Sequence, residues 1–202
     1  MGGISSTSAA STGDSINNSG LSAVLGYHFG ASVDIKINKY LTFQPGITYQ
    51  TKGSKYNFSV NPTGNFFGPR AAISTNINAT FLDIPLNMMA HYDFNKNVSV
   101  FATAGPYIGY GLKGNIATRI SFLGTVIPVD QEIEWGDDLE RIDYGLGFGG
   151  GLKYRNFSLA ATYDLGLANL VVDGKENNSL QNRIFRISLG YSLDLSIIKK
   201  LF

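Results

Sequence analysis

"FLDIPLNMMAHYDF", residues 81–94, is the stretch whose reading decides the fold. Alternate positions separate into Leu82, Ile84, Leu86, Met88, Ala90, Tyr92 and Phe94 on one side and Asp83, Pro85, Asn87, Met89, His91 and Asp93 on the other. Successive side chains of a β-strand point to opposite faces, so one face here is apolar and the other polar. A soluble sheet turns its apolar face to a core. A membrane-crossing strand turns it to lipid.

The same alternation recurs over 23–37, 41–52, 98–112, 144–154, 157–168 and 183–194, which makes seven strands, most of them longer than ten residues. Soluble strands are usually about 5–6 residues long, whereas crossing a bilayer on a tilt takes about 9–11. Bacterial single-chain barrels have even strand numbers, and Gly2–Thr7 is the natural eighth. The connections alternate in length as well. Asn38-Lys39, Asn95-Lys96-Asn97 and Arg155-Asn156 are tight turns, while 8–21, 57–74, 113–140 and 171–181 are long loops. Short turns at one end and long loops at the other describe an eight-stranded antiparallel up-and-down transmembrane β-barrel. The whole chain, 1–202, is then one domain, with its turns and both termini on the periplasmic side.

Composition agrees. Hydrophobic residues make up 44% and charged residues 15%, with 24 Gly, 11 Tyr and 13 Phe. A typical soluble domain carries about 25% charged residues. The polar face is too small to be a solvated exterior, because it holds Gly105, Gly109, Gly111, Gly145, Gly147, Gly149 and Gly151. Aromatics gather near strand ends (Tyr40, Tyr92, Phe94, Tyr110, Tyr144, Tyr154 and Phe157), where interfacial girdles belong. The apolar face is therefore expected to look outward. A net charge of +1 gives no electrostatic case for nucleic acid, and zero cysteines exclude disulfides and thiolate sites. No run of about 18 apolar residues is present, so no transmembrane helix is expected. No signal peptide is visible, and the chain reads as a mature form with an added initiator Met.

In order along the chain, "LTFQPGITYQTKGSK", "FLDIPLNMMAHYDF", "VFATAGPYIGYGLKG", "DYGLGFGGGLKY", "LAATYDLGLANL" and "NRIFRISLGYSL" resemble the PorT-like outer-membrane β-barrel proteins of Bacteroidetes. "GGISST" looks like a shortened first strand of that family. The resemblance covers nearly the whole chain and implies an eight-stranded porin-like barrel in the cell envelope. Family members tend to stop soon after the "LGYSL"-like strand, whereas this chain continues through "DLSIIKKLF".

Inward-facing charges are Asp34, Lys36, Lys52, Asp83, Asp93, Lys153, Asp164 and Arg186. An eight-stranded barrel is just wide enough to be filled by side chains, and buried charges must pair. The candidate lumen network is thus Asp34, Lys36, Asp83, His91, Asp93, Lys153, Asp164 and Arg186, read as a self-satisfied polar core in preference to an ion path. His28 and His91 point inward at different depths, with no carboxylate at a metal-triad spacing. No histidine lies on the outward face or in a long loop, which removes the usual base for an activated serine. Gly145, Gly147 and Gly150 spell G-x-G-x-x-G, but they sit inside a strand with no following helix. No catalytic residue, cofactor or metal is expected.

Within the longest loop, Ile116 to Phe122 alternates, Gly124-Thr125 turns, and Ile127, Val129 and Ile133 resume an extended pattern. This predicts a hairpin carrying the barrel wall beyond the membrane. Glu132, Glu134, Trp135, Asp137 and Asp138 on its return arm are candidate contacts for a partner. The expected partners are the lipid bilayer and lipopolysaccharide, the outer-membrane assembly machinery, and an extracellular or envelope protein. The functional expectation is a small non-enzymatic barrel of the bacterial outer membrane that is structural or binds through its loops. The alternatives are a narrow channel for small solutes and a soluble, lipocalin-like barrel. The last of these predicts an apolar lumen and a polar exterior.

Overall fold

The computed structural model describes residues 2–12, 21–60, 71–122, 125–170 and 179–193. The strands are β1 (Gly2–Thr12), β2 (Leu21–Ser32), β3 (Ile35–Lys36), β4 (Leu41–Val60), β5 (Ala71–Asp93), β6 (Val98–Phe122), β7 (Thr125–Glu132), β8 (Ile142–Tyr154), β9 (Phe157–Gly166) and β10 (Ser179–Tyr191). Eight of them close a ring in which every neighbour is antiparallel, running β1-β2-β4-β5-β6-β8-β9-β10 and back to β1. β3 continues the line of β2 against β4, and β7 pairs with the upper part of β6. The expected eighth strand at the N-terminus is the one that closes the ring, since Gly2 lies opposite both Leu189 of β10 and Phe29 of β2.

The apolar face looks outward. Leu86, Ile108 and Leu189 keep 41%, 50% and 68% of their surface exposed, while Asp83 on the opposite face keeps 2%. The register pairs like with like around the outside, as in Ile84 beside Ile108 and Ile108 beside Tyr144. A one-residue slip would put Asp83 outside and Ile84 inside, so the pattern specifies the register strongly. The lipocalin-type alternative requires the reverse burial and is overturned.

Two turns share one chemistry. Asn38 Oδ1 accepts from the Tyr40 and Leu41 amides at 2.8 and 2.9 Å, and Asn95 Oδ1 accepts from the Asn97 and Val98 amides at 2.9 Å each. An asparagine side chain thereby replaces the ladder bonds that the chain loses on reversing. In the third turn Arg155 adopts a positive φ of 52°, a left-handed conformation unusual for a residue with a Cβ.

The strands are longer than the alternation indicates. β4, β5 and β6 hold 20, 23 and 25 residues, taking in much of what reads as loop at 57–74 and 113–122. A strand of 25 residues tilted near 45° rises about 58 Å, roughly twice the hydrocarbon thickness. The wall therefore continues past the membrane on the loop side, and β7 extends it as the expected hairpin. The register shifts between Ala23 and His28 on β2 and between Thr80 and Phe81 on β5, near the level where the wall leaves the apolar band. At the first shift the Thr51 hydroxyl accepts from the Tyr27 amide at 3.0 Å. The tail from Asp194 to Phe202 and the remaining parts of the expected loops lie outside the described residues.

Leu86 sits midway along β5 between the turn at 94–97 and the shift at Thr80. Leu86→Arg is expected to lower stability in lipid vesicles by about 2–4 kcal/mol, the range for a cation at the lipid midplane. Thr125→Arg on the exposed hairpin should stay within about 0.5 kcal/mol of wild type. Urea unfolding of both variants in vesicles measures the contrast.

Candidate functional site

The interior is layered. Its central layer is an ion-pair network drawn from six of the eight ring strands. Lys52 of β4 reaches Asp83 of β5 at 3.0 Å and Asp143 of β8 at 2.8 Å. Asp143 Oδ2 also accepts from Asn182 Nδ2 of β10 at 3.0 Å and from the Tyr107 hydroxyl of β6 at 3.4 Å. Arg186 of β10 pairs with Asp164 of β9 at 2.9 Å and donates to Gln50 Oε1 at 3.3 Å and Thr162 Oγ1 at 3.2 Å. Gln50 in turn donates to Asp83, which joins the two ion pairs into one network.

Inward orientation follows from strand parity: Gln50 and Lys52 are two apart on β4, and Asn182 and Arg186 four apart on β10. Gly109 leaves room for the network, since a Cβ there would meet the Asp83 carboxylate and approach Lys52. Asp143 is fully buried, and its Oδ1 has no hydrogen-bond partner. Removing charges from water is expensive unless each is paired and hydrogen-bonded, and this density of contacts meets most of that demand.

Of the residues expected in the network, the structure brings together Asp83, Asp164 and Arg186, with Lys52 among them. It does not bring in the other five. Asp34, Lys36 and Asp93 are exposed and His91 and Lys153 half-buried. All five lie close to the turns, where water solvates a charge, and Asp34 only accepts from Gln44 at 2.6 Å. Asp143, Gln50, Tyr107 and Asn182 are network members that the reading of inward charges missed. Asp143 lies one position before the stretch read as strand, and extending the alternation by that one residue finds it. His28 is buried with its Nε2 2.7 Å from the Ser188 hydroxyl, while its buried Nδ1 has no hydrogen-bond partner among the described residues, so the core histidine is satisfied at one ring nitrogen. Among the described residues no group of three His, Cys, Asp or Glu side chains is placed to hold a metal ion.

Above the ion pairs lies an apolar plug. Ala79, Phe81, Ile133, Leu139, Ala168 and Leu170 are buried against one another, with Ile77, Ile116 and Trp135 packed around them. The Lys52 ammonium lies 4.5 Å from the Phe81 ring centre, so one aromatic face bridges the two layers. Trp135 packs edge-on to Phe81 at 5.6 Å and covers Gly111, where any Cβ would strike the indole. The return arm turns inward to place it: Gly136 takes φ +95°, and the Glu134 amide donates to Asp138 Oδ2 at 2.9 Å. Of the expected partner contacts, Trp135 and Asp138 are thus engaged within the fold, while Glu132, Glu134 and Asp137 remain exposed.

Two further spaces complete the layering. A recess of about 890 Å³ lies at the foot of the hairpin, lined by Thr51, Asn78, Thr80, Lys113, Asn115 and Glu132 among others. On the turn side of the ion pairs is a smaller well of about 80 Å³ with a mixed polar and apolar lining.

A family model described as outer membrane protein beta-barrel domain matches residues 1–172. No curated protein matches the chain. Among solved structures, the chain is similar to the crystal structure of Ail, the attachment invasion locus protein of Yersinia pestis. Identity is 15%, with 95% of this chain and 99% of that chain covered, at a TM-score of 0.32. It is also similar to Ail in complex with the heparin analogue sucrose octasulfate, at 14% identity, 94% and 96% coverage and a TM-score of 0.31.

Lys52 is the common cation of two buried carboxylates, so Lys52→Met should cost about 3–5 kcal/mol, the range for one partner of a buried pair removed alone. Adding Asp143→Asn should cost much less in that background than in wild type, because the charge it removes is by then uncompensated. A double-mutant cycle from urea unfolding in vesicles reads the coupling, and strictly additive losses would contradict the network.

Proposed function

The chain belongs to the outer membrane protein beta-barrel domain family, and from that membership we propose that it is a non-enzymatic surface barrel whose loop-side hairpin binds a partner. The observation that carries this reading is the overshoot of the wall. All eight residues of β7 are exposed, including Val126, Ile127 and Val129. Among the described residues β7 pairs with β6 alone. A free edge presents unpaired amide and carbonyl groups to an incoming strand, and Pro128 within it limits indiscriminate pairing. The large recess at its foot adds concave surface beside the edge. The exposed Glu132, Glu134 and Asp137 make the return arm of the hairpin acidic.

Conduction is disfavoured by the same geometry. A solute travelling the lumen would have to separate Lys52 from two carboxylates and then displace Phe81 and Trp135. Catalysis is disfavoured because both histidines belong to the lumen wall, away from the outer leaflet. The finer placement among PorT-like proteins of Bacteroidetes rests on the run of strand motifs. With it come a single domain over 1–202, lipopolysaccharide as the outer-leaflet lipid, and the outer-membrane assembly machinery as the inserting partner.

Two measurements test the reading. Refolded protein in planar bilayers should give a flat current trace, and discrete conductance steps would favour the conduit. Replacing residues 116–131 by a short turn should leave a folded, heat-modifiable barrel but abolish surface binding to intact envelopes. Binding that survives the replacement would locate the interaction elsewhere.

A further inference from the structure

The well lies in the turn-side part of the lumen, roofed by the Arg186–Asp164 pair. Its lining comes from β2, β4, β5, β6, β9 and β10 and runs down to Ser32, an exposed residue at the turn-side end of β2, so it opens toward the turns. The volume of about 80 Å³ is several times the ~10–15 Å³ that one water needs, which leaves room for a small solute.

The chemistry of the wall is one-sided. Among the described residues Arg186 is its one permanently charged group, and no carboxylate lines it. Asp83 and Asp164 border the smaller void of about 20 Å³ above, which shares Pro85, Asn87, Thr103, Thr162 and Arg186 with the well. The Arg186 side chain keeps 14% exposure where that of Asp164 keeps 3%, so the guanidinium is reachable and its partner is not. Arg186 spends one N–H each on Thr162, Gln50 and Asp164. A guanidinium has five donors, which leaves two N–H groups with no acceptor among the described residues. Around it stand neutral groups able to donate: the hydroxyls of Thr48 and Thr103 and the amide of Asn87. A planar fork of donors beside hydroxyls suits an oxygen-bearing anion, and carboxylates are the commonest partner of that fork.

We propose that this well is a binding site for a small free carboxylate of about acetate size, entering from the turn side and held by the unused donors of Arg186. It is independent of the hairpin on the opposite end. The roof of ion pairs makes it a blind pocket and not a passage.

Isothermal titration of the refolded protein in detergent, with acetate, its uncharged isostere acetamide, and chloride at matched ionic strength, tests this. Saturable one-to-one binding of acetate is expected, with acetamide and chloride at least tenfold weaker. Ala160→Leu fills the well from a neighbouring wall position without touching an ion pair, and should weaken acetate at least tenfold while the barrel stays folded. Arg186→Gln should abolish binding. If that variant fails to fold, Thr103→Val, which removes one lining hydroxyl, provides a second reading and should weaken acetate measurably. Absence of saturable acetate binding to the wild type, equal binding of acetamide, or unchanged affinity in Ala160→Leu would each overturn the proposal.

Discussion

In hydrocarbon there is no water to hydrogen-bond a free amide or carbonyl, and each unpaired group costs several kcal/mol. That constraint governs this protein. An open sheet would leave two such edges, so the sheet must close, and the closing joint is β1. It pairs with β10 along its whole length and with β2 from Gly2 to Thr7. Gly3 is part of what makes that joint possible, since a Cβ there would collide with the backbone of Ile187 and Ser188. The N-terminal strand therefore completes the only arrangement in which the remaining strands can stay in lipid.

Closure at eight strands fixes the rest. The interior admits side chains and little else. It is filled in layers, with a small well toward the turns, an ion-pair layer across the middle, and an apolar plug beneath the loops. Lys52 touches both upper layers, pairing with Asp83 and Asp143 while its ammonium faces the Phe81 ring. The sealed middle separates the protein into two surfaces that can act independently. The loop side carries the hairpin and its acidic margin, and the turn side carries the well.

Much of this was legible in the residues. Ile84, Leu86 and Met88 against Asp83 and Asn87 already state which face is apolar, and the poverty of bulk at Gly105, Gly109 and Gly111 already states which face is inside. Strand length was less legible, for a physical reason. Above the membrane neither face of the wall needs to be apolar, so residues 57–60 and 71–74 fall within a stretch that reads as loop. In the structure they belong to β4 and β5. The network was half legible. Parity identified inward charges, but it carries no information on depth. Asp34 and Asp93 therefore counted equally with Asp83, although they sit beside turns where water is at hand. The neutral members Gln50, Tyr107 and Asn182 carry no charge to draw attention, and only coordinates join them to Asp143 and Arg186.

Single nitroxide labels on cysteines introduced at Leu86, Ile108 and Leu189, in protein reconstituted into vesicles, report most directly on which side faces lipid. Outward-facing aliphatic rows predict that all three labels collide readily with dissolved oxygen and hardly at all with a water-soluble nickel chelate. Labels that are immobilised and shielded from both reagents would place these residues in a packed interior, and the membrane barrel would have to be abandoned.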